Sequence, residues 1–240
     1  MWKVIQTYEE FKIANKRLIG IFGGTFDPIH KGHIQVIENF LNLIDIDELI
    51  VLPNGTPPHK EKRINELNKI KLVKLALSHI NNLIIDEREI LKSSPSYAYL
   101  TLREIQKENP NDTLVWIMGM DSFLEIETWY EYENFLEEVN LLILERPGYE
   151  VDETSYVQNL LESKRILNFQ EFKDSKGKIF ILPIDPIKVT STKIRELISN
   201  NEDVSALLDS NVYQFIKDQN LYKEQWLKNS KIKLSILWKI

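Results

Sequence analysis

Short apolar segments alternate along most of this chain with longer segments whose apolar residues recur at helical spacing. The apolar segments predict strands at residues 17–22, 48–52, 83–85, 114–118, 139–144 and 178–182. Helical spacing predicts helices that begin near residue 34 and at 64–80, 97–108, 156–167, 192–199 and 212–218. Strands that alternate with helices form a mainly parallel sheet with helices on both faces. We therefore predict an α/β fold, a Rossmann-like doubly wound sheet whose ligands bind at the carboxyl ends of the strands.

Composition narrows the partners and the cellular setting. The net charge of -6 makes the chain a poor candidate for binding nucleic acid or an anionic membrane through bulk charge. The chain has no cysteine, which excludes disulfides, thiolate metal sites and a cysteine nucleophile. No apolar run approaches the ~20 residues of a membrane span, and the charged N-terminus lacks a signal-peptide core. We expect a cytoplasmic enzyme, in which any phosphate would bind at a local site.

A glycine-rich turn directly follows the first predicted strand, and residues 23–33 read GGTFDPIHKGH. Glycines let the backbone approach a ligand closely, and the start of the following helix presents N–H groups and a positive dipole end. His30 and His33 are three residues apart, so both side chains lie on one face at that helix start. The segment predicts a socket for a polyphosphate.

Plainer interpretations of the same residues stay open. Gly23 and Gly24 would then form only a turn, with Asp27 as the N-cap residue and Pro28 in the first helical position. A zinc site at the two histidines is less favoured, because helical metal pairs are usually four residues apart and no third ligand stands out. The chain contains neither GxGxxG nor GxxxxGK[ST], which excludes those two modes of phosphate binding.

Taken as a whole, the pattern GxFDPxHxGH resembles the signature of a nucleotidyltransferase superfamily. This superfamily includes class I aminoacyl-tRNA synthetases and the cytidylyl- and adenylyltransferases. The resemblance implies that His30 and His33 contact the phosphates of ATP.

A second anion site is predicted at residues 189–195, which read VTSTKIR. Hydroxyls and amides stand at a predicted helix start, and Arg195 follows one turn later. The plain alternative is a helix cap by Ser191 or Thr192, with Arg195 solvated. The segment resembles the [IV]-S-[SAT]-T-x-I-R motif of adenylyltransferases, with Thr190 in place of the usual Ser. The resemblance implies that these side chains hold the triphosphate tail of ATP opposite the histidines.

Four further segments resemble one family, the bacterial nicotinate-mononucleotide adenylyltransferases. They are PNGTPPHK at 53–60, DEREILKSSPSY at 86–97, GMDS at 119–122 and TWYEYE at 128–133, with ERPG following at 145–148. The resemblance runs in unbroken order over residues 18–223, which we take as the nucleotidyltransferase domain. An N-terminal extension at 1–17 and a C-terminal extension at 224–240 flank it.

This resemblance divides the predicted site between two substrates. It implies contacts with ATP at Gly23, Gly24, Thr25, Phe26, His30, His33, Gly119, Asp121, Ser191, Thr192 and Arg195. It implies contacts with the mononucleotide at Thr25, Lys60, Tyr97, Ala98, Trp129, Tyr130 and Arg146. Trp129 would stack on the pyridine ring, and backbone N–H groups around Tyr97–Ala98 and Tyr130 would hold its carboxylate. Ala98 stands where the family often has Thr. The plain alternatives are surface charge for Lys60 and Arg146, packing for Trp129 and a helix cap for Asp121.

The implied reaction is transfer of AMP from ATP to nicotinate mononucleotide, which gives nicotinate adenine dinucleotide and pyrophosphate in NAD biosynthesis. The acceptor phosphate is charged at neutral pH because its second pKa is about 6, so we expect no general base and no covalent intermediate. His30, His33 and Arg195 are the predicted catalytic residues. Mg²⁺ is expected as a cofactor bound mainly through substrate phosphates, with no dedicated protein ligand. We expect no nucleic-acid or membrane partner, and a monomer or small homo-oligomer.

Other functions remain as alternatives. Nicotinamide mononucleotide could replace the acid as acceptor, because contacts through backbone N–H groups do not settle that choice. Phosphopantetheine enzymes are shorter and lack the TWYEYE segment, and a class I tRNA synthetase needs a longer chain and a KMSKS-like loop. A non-catalytic nucleotide sensor predicts loss of His30, His33 or Arg195, and all three are present.

The C-terminal extension carries its own pattern. In its last nine residues large apolar side chains alternate with polar ones, with one exception, which predicts a half-buried strand. An unpaired apolar strand is an aggregation hazard, so we expect this segment to be ordered and to pack on the protein.

Overall fold

The computed structural model of this chain describes residues 16–55, 64–92, 96–145, 151–152, 154–185, 187 and 189–223. The predicted C-terminal strand lies outside the described residues, as does all but the end of the N-terminal extension. Two predicted mononucleotide contacts, Lys60 and Arg146, lie outside them as well.

The centre of the molecule is a six-stranded sheet in which every pair of neighbouring strands is parallel. Its strands are β1 (Leu18–Gly24), β2 (Glu48–Pro53), β3 (Leu83–Ile85), β4 (Thr113–Gly119), β5 (Asn140–Glu145) and β6 (Ile179–Pro183). They lie in the order β3-β2-β1-β4-β5-β6. β2 and β3 are therefore added on one side of β1, and the later strands on the other side, so the strand order reverses between β1 and β4. The predicted Rossmann-like α/β fold is confirmed.

Helices connect the strands. They are α1 (Lys31–Leu43), α2 (Glu66–Leu77), α3 (Arg88–Leu91), α4 (Ala98–Glu108), α5 (Met120–Leu124), α6 (Tyr132–Glu138), α7 (Tyr156–Lys164), α8 (Ser191–Ser199) and α9 (Ser210–Asp218). Short 3-10 turns occur at Ile126–Thr128 and Phe169–Asp174. Within the described part of the chain, no helix is both long and apolar enough to cross a membrane.

Two hydrophobic cores lie on opposite faces of the sheet, because successive side chains of a strand point to opposite faces. Leu18 and Phe22 of β1 belong to one core, whereas Ile19 and Ile21 belong to the other. The expected cover of helices on both faces is therefore present. β1 has to be apolar on both sides, which explains why it reads as a continuous apolar run.

One predicted helix is too long. The pattern predicted a helix over 156–167, but α7 ends at Lys164. Arg165 forms a parallel bridge with Ile179, and the N–H of Ile166 donates to the carbonyl of Ile179 at 2.8 Å. Sheet hydrogen bonds at the start of β6 therefore replace the last helical turn that the apolar spacing suggested.

The change in strand order places two glycine-containing turns side by side. Phe22 of β1 pairs with Ile117 of β4, two residues before each strand ends at Gly24 and Gly119. Both turns therefore open at the carboxyl edge of the sheet, at its switch point. Ligands of doubly wound sheets bind in the crevice at this position.

Candidate active site

Two adjoining cavities open at the carboxyl edge of the sheet. The larger, of about 520 Å³, lies over the ends of β1 and β4, and the smaller, of about 230 Å³, lies between the start of α1 and the start of α8. His33 and Asp121 line both cavities, which therefore meet between these two side chains. The pair of cavities offers room for two ligands whose reacting ends come together beside His33.

Most of the predicted site residues lie on these walls. The larger cavity is lined by Gly23, Gly24, Thr25, Phe26, His33, Tyr97, Ala98, Gly119, Asp121, Trp129 and Tyr130. The smaller is lined by His30, His33, Asp121 and Ser191, together with Gly32, Ile187, Val189 and Thr190. Thr192 and Arg195 line neither of these cavities; Arg195 donates to the carbonyl of Asp27 in the signature loop and to the hydroxyl of Thr192.

The turn after β1 is shaped by the ring of Phe26. A methyl group at Gly24 would lie 2.6 Å from this ring, which is closer than any real contact, so only glycine fits there. Phe26 is 1% exposed and has a φ of 45°, in the left-handed region that bulky residues avoid. At Gly23 a methyl group would meet Asn54 Oδ1 at an ordinary 3.5 Å. The burial of Phe26 therefore explains one of the two glycines, and the backbone at the other lines the larger cavity.

The two histidines cap the helix that follows this turn. His30 is the N-cap residue of α1, and its Nδ1 accepts a hydrogen bond from the His33 N–H at 3.4 Å. In return, His33 Nδ1 accepts one from the His30 N–H at 3.3 Å, and the rings stack with centroids 3.7 Å apart. Because each Nδ1 is an acceptor, the proton of each neutral ring is on Nε2. Each ring therefore presents an Nε2–H donor.

This geometry corrects the plainer interpretation of the turn. Asp27 is not the N-cap residue, and Pro28 does not occupy the first helical position, because α1 begins at Lys31. Instead, the Asp27 carboxylate accepts a hydrogen bond from the hydroxyl of Tyr222 at 2.8 Å. The loop is held from the C-terminal side of the domain as well as by its own helix.

The second anion motif is joined directly to the first. Ser191 Oγ donates to the carbonyl of Pro28 at 2.9 Å, across 163 residues of sequence. Arg195 donates from one end of its guanidinium to the carbonyl of Asp27, and from the other to Thr192 Oγ1 at 3.0 Å. Hydrogen bonds between side chains of the second motif and backbone carbonyls of the first thus hold the two segments together.

Capping at α8 differs from the plain prediction for this motif. Neither Ser191 nor Thr192 caps the helix, because Thr190 is the N-cap residue and its Oγ1 accepts from the Lys193 N–H at 3.1 Å. Thr190, the one departure from the motif, therefore uses its hydroxyl for a cap. Its replacement of Ser preserves this bond.

Aromatic residues dominate the far end of the larger cavity. The rings of Tyr97 and Tyr130 lie 4.8 Å apart and are 43% and 49% exposed. Trp129 is partly buried against Phe135, with ring centroids 5.6 Å apart, and it also lines the cavity. Trp129 therefore packs against Phe135 and also faces the cavity.

The start of α4 supplies backbone donors at the same end of the cavity. α4 begins at Ala98, and its N-cap residue Tyr97 makes no side-chain cap. Because the first N–H groups of a helix lack intrahelical partners, this start is a natural site for an anionic group. A hydroxyl at position 98 is not needed for such backbone contacts.

At the end of β4, Gly119 makes room for a carboxylate. A methyl group on Gly119 would lie 2.3 Å from Asp121 Oδ1, so the side chain of Asp121 folds back over the backbone there. The N-cap position of α5 belongs to Gly119, with no side-chain cap, so the helix-cap interpretation of Asp121 was wrong. The carboxylate is exposed and stands where the two cavities meet.

Sequence reasoning missed several polar residues of the larger cavity. They are Asn54, Glu89, Ser96, Ser122 and Thr128. Asn54 was detectable in principle, because it follows β2 directly and β2 pairs with β1, which places it beside the Gly23 turn. Its Oδ1 is buried without a hydrogen-bond partner within the described residues, so it offers an acceptor to a ligand.

Two buried charges lie next to this wall. Lys69 is 2% exposed, and its ammonium donates to the carbonyl of Asn54 at 2.9 Å. Burial lowers the pKa of Lys69, while the nearby Asp27 carboxylate opposes that change. Glu89 is 4% exposed and lines the larger cavity; burial raises the pKa of its carboxyl, while a hydrogen bond from Thr101 opposes the rise.

A protein-built metal cage is not found in the part of the chain that the structure describes. No group of three or more His, Cys, Asp or Glu side chains there is arranged to hold a metal ion. Mg²⁺ does not require a cage of protein ligands, because it can be bound through one or two carboxylates together with substrate phosphates. Asp121, at the junction of the cavities, fits that mode.

Comparisons with known proteins identify the family of this chain. The cytidylyltransferase-like family model matches residues 21–197. The chain is 36% identical over 213 residues to the probable nicotinate-nucleotide adenylyltransferase of Shigella boydii, across 87% of this chain and 100% of that protein. It shows the same identity and coverage with the nicotinate-nucleotide adenylyltransferase of Escherichia coli O6:H1.

A solved structure supports the fold. The nicotinic acid mononucleotide adenylyltransferase of Plasmodium falciparum, complexed with NaAD, superposes with a TM-score of 0.66 at 21% identity, over 86% of this chain and 97% of that one. The superposition shows the fold, whereas the family model and the sequence identity show the family. The chain therefore belongs to the cytidylyltransferase-like family and, within it, to the nicotinate-nucleotide adenylyltransferases, which are nucleotidyltransferase enzymes.

Proposed function

We propose that this enzyme transfers AMP from ATP to nicotinate mononucleotide, with release of pyrophosphate and formation of nicotinate adenine dinucleotide. The observation that carries the proposal is the pair of cavities that meet at His33 and Asp121. One is walled by helix starts rich in hydrogen-bond donors, and the other ends in aromatic rings. Such a pair suits a triphosphate and a pyridine nucleotide whose phosphates must touch.

ATP is assigned to the smaller cavity and the junction. Its phosphates would lie between the histidine pair and the start of α8, where His30, His33 and Ser191 face the cavity. Asp121 and Gly119 would contact the ribose, and the turn at Gly23, Gly24, Thr25 and Phe26 would follow the α-phosphate. Arg195 supports the signature loop through the carbonyl of Asp27, and Thr192 accepts a hydrogen bond from Arg195.

The mononucleotide is assigned to the larger cavity. Trp129 would stack on the pyridine ring, and the N–H groups at Tyr97–Ala98 and Tyr130 would bind the carboxylate. Thr25, which lines this cavity, would lie near the mononucleotide. On the family resemblance alone, Lys60 is proposed for its phosphate and Arg146 as a further contact. Asn54 Oδ1, buried without a partner among the described residues, would accept a hydrogen bond from the substrate.

The residues of this site catalyse by position and charge. The acceptor phosphate is already an anion near neutral pH, so the enzyme has only to bring its oxygen in line with the α-phosphorus. As the bond to pyrophosphate breaks, negative charge grows on the leaving oxygens. Nε2–H donors of His30 and His33, already oriented by their reciprocal bonds, stabilise that charge without reorganisation. Arg195, held by the carbonyl of Asp27, adds a fixed positive charge beside the signature loop.

Mg²⁺ is proposed as the divalent ion of the reaction. When bound, it neutralises part of the charge on the phosphates. Asp121 is the described carboxylate that would help to hold it, with most of its ligands supplied by phosphate oxygens and water.

The proposal is tested by measuring pyrophosphate release from ATP with each of three acceptors: nicotinate mononucleotide, nicotinamide mononucleotide and phosphopantetheine. The expected result is turnover with the nicotinate compound and a lower kcat/KM with the amide, because helix-start N–H groups favour an anion. Equal or better turnover with the amide would reject the substrate assignment. Binding of ATP and acceptor without any turnover would identify a sensor instead of an enzyme.

A further inference from the structure

Glu89 is a buried carboxylate for which the proposed reaction has no use. It lies in α3, lines the larger cavity and forms no ion pair within the described part of the chain. The nearby cation Lys92 is bound to both carboxylate oxygens of Glu104, at 2.8 and 2.9 Å. Burying a carboxylate costs free energy unless hydrogen bonds compensate for it.

The partner of Glu89 is a buried hydroxyl. Thr101 Oγ1 donates to Glu89 Oε1 at 2.7 Å, and Thr101 is 1% exposed. The N–H of Thr101 in turn bonds to the carbonyl of Tyr97, so this residue belongs to the first turn of α4. Thr101 therefore ties the start of α4 to the short helix α3.

The main chain of Glu89 contacts two more parts of the same wall. A methyl group at Gly55 would lie 3.0 Å from the Glu89 carbonyl, so α3 packs closely on the turn that follows β2. Ser96, the residue before Tyr97, donates from its Oγ to the same carbonyl at 3.5 Å. Glu89 is thus the point where the turn after β2, α3 and the start of α4 come together.

All of these contacts concern the larger cavity. Glu89, Ser96, Tyr97 and Ala98 line that cavity, and none of them lines the smaller one. A change in the Glu89–Thr101 bond would move the backbone donors at Tyr97–Ala98 and leave the histidine pair and α8 in place. The consequence should therefore fall on the substrate that binds at Tyr97–Ala98, which the proposed function assigns as the mononucleotide.

We propose that Glu89 and Thr101 are a positioning pair that sets the place of the α4 start, and through it the affinity for the acceptor mononucleotide. This inference rests on the assignment of the acceptor to the larger cavity. The ion pair from Lys92 to Glu104, one of several between the same segments that also include Arg88 with Glu104 and Glu108, provides the contrast. Lys92 and Glu104 are 31% and 43% exposed, and exposed ion pairs contribute little.

The test measures the Kd of nicotinate mononucleotide and, separately, of a non-hydrolysable ATP analogue, by calorimetry. Thr101→Val removes the hydroxyl and keeps the shape, and it should weaken mononucleotide binding about tenfold, because a buried carboxylate loses its donor. Thr101→Ser keeps the donor, Glu89→Gln keeps an acceptor, and Lys92→Ala breaks only the ion pair with Glu104. All three should bind the mononucleotide within about threefold of the wild type. The Kd of the ATP analogue should be unchanged throughout.

The pair would be merely structural if Thr101→Val lowered Tm but left both affinities unchanged, or weakened both alike. Losses as large in Thr101→Ser or Glu89→Gln as in Thr101→Val would also overturn the proposal. Pyrophosphate release by the wild type is measured alongside. If the wild type bound the mononucleotide but did not turn it over, the proposed function would fail while the positioning test would still be decided by the Kd values.

Discussion

The two cavities differ in how their walls are held. Around the smaller cavity, segments far apart in the chain are joined by direct hydrogen bonds from Ser191 to Pro28 and from Arg195 to Asp27. The hydroxyl of Tyr222 adds a bond to the side chain of Asp27 from the end of the domain. Every one of these contacts bears on the loop that carries the histidines.

The far end of the larger cavity is built in another way. Tyr97 and Tyr130 are nearly half exposed and contact each other at a tilt of 39°. Exposed aromatic surface forms this end, with the buried pair Glu89–Thr101 behind it, and Tyr99 and Arg103 of α4 donate to Glu138 of α6 on the outside. Aromatic surface gains free energy when a ligand ring covers it, and it tolerates small shifts in position.

The difference reflects what each half has to do. Charge that develops during bond breaking is stabilised only by donors already in place, because reorienting them during the reaction costs free energy. Recognition of a ring requires contact area in the bound state. We therefore expect substitutions in the smaller cavity to lower kcat. Substitutions at the aromatic end of the larger cavity should instead raise the KM of the mononucleotide.

The largest effect is expected for His33→Ala. His33 lies at the junction of the cavities, and loss of a donor to developing charge typically costs ~10²–10³ in rate. Steady-state kinetics should show kcat reduced by about that factor and both KM values little changed. His79→Ala is the matched control, because His79 is on the surface beside Glu38 and should leave kcat unaltered. A mutant with wild-type kcat would remove His33 from the proposed mechanism.

A smaller loss is expected for Arg195→Lys. Lysine keeps the positive charge but cannot reach both the Asp27 carbonyl and Thr192 with one planar group. Loss of a charged hydrogen bond corresponds to roughly 10- to 100-fold, and we expect it in kcat with pyrophosphate release as the assay. Lys193→Ala on the exposed side of α8 is the control. If Arg195→Lys changed only the KM of the mononucleotide, the division between the cavities would be wrong.

Trp129→Ala tests the aromatic end. Stacking on a pyridine ring contributes about 1 kcal/mol, so the KM of the mononucleotide should rise roughly fivefold while that of ATP stays nearly constant. Trp129→Phe should retain most of the affinity, since a ring remains. Equal increases in both KM values would indicate a folding defect from lost contact with Phe135, and a rise for ATP alone would assign Trp129 to the adenine side.

The smallest effect concerns the pH dependence of stability. The folded-state pKa of Glu89 lies above its ordinary value near 4.5 because of burial, so its contribution to stability is present below that value and is lost as pH rises through the folded pKa. Glutamine stays neutral at every pH. The free energy of unfolding of Glu89→Gln relative to the wild type should therefore increase between about pH 4 and pH 7 in urea titrations. A difference that is constant with pH would show that burial does not raise the pKa.

Local pattern was enough to predict most of the architecture. Alternating apolar and helical segments predicted all six strands, because strand and helix periodicity are properties of neighbouring residues. The resemblance of the signature segment and of VTSTKIR to known motifs implied that the histidines and the start of α8 lie opposite each other, and His30, His33 and Ser191 line the smaller cavity together. The parallel sheet then brought these ends to one edge.

What the sequence by itself determined is the strands, the longer helices and the residues at the carboxyl ends of the strands; the short helices α3, α5 and α6 were not predicted, because four to seven residues are too few to show a helical period. Only the tertiary structure decided which of those residues bond to one another. It turned Asp27 from a helix cap into an acceptor for Tyr222 and gave the cap of α8 to Thr190. It also placed Asn54 and Glu89 in the wall of the larger cavity, with Thr101 bonded to Glu89. Most of these contacts join residues distant in the chain. A local sequence pattern cannot predict such partners, because only the folded chain brings them within hydrogen-bonding distance.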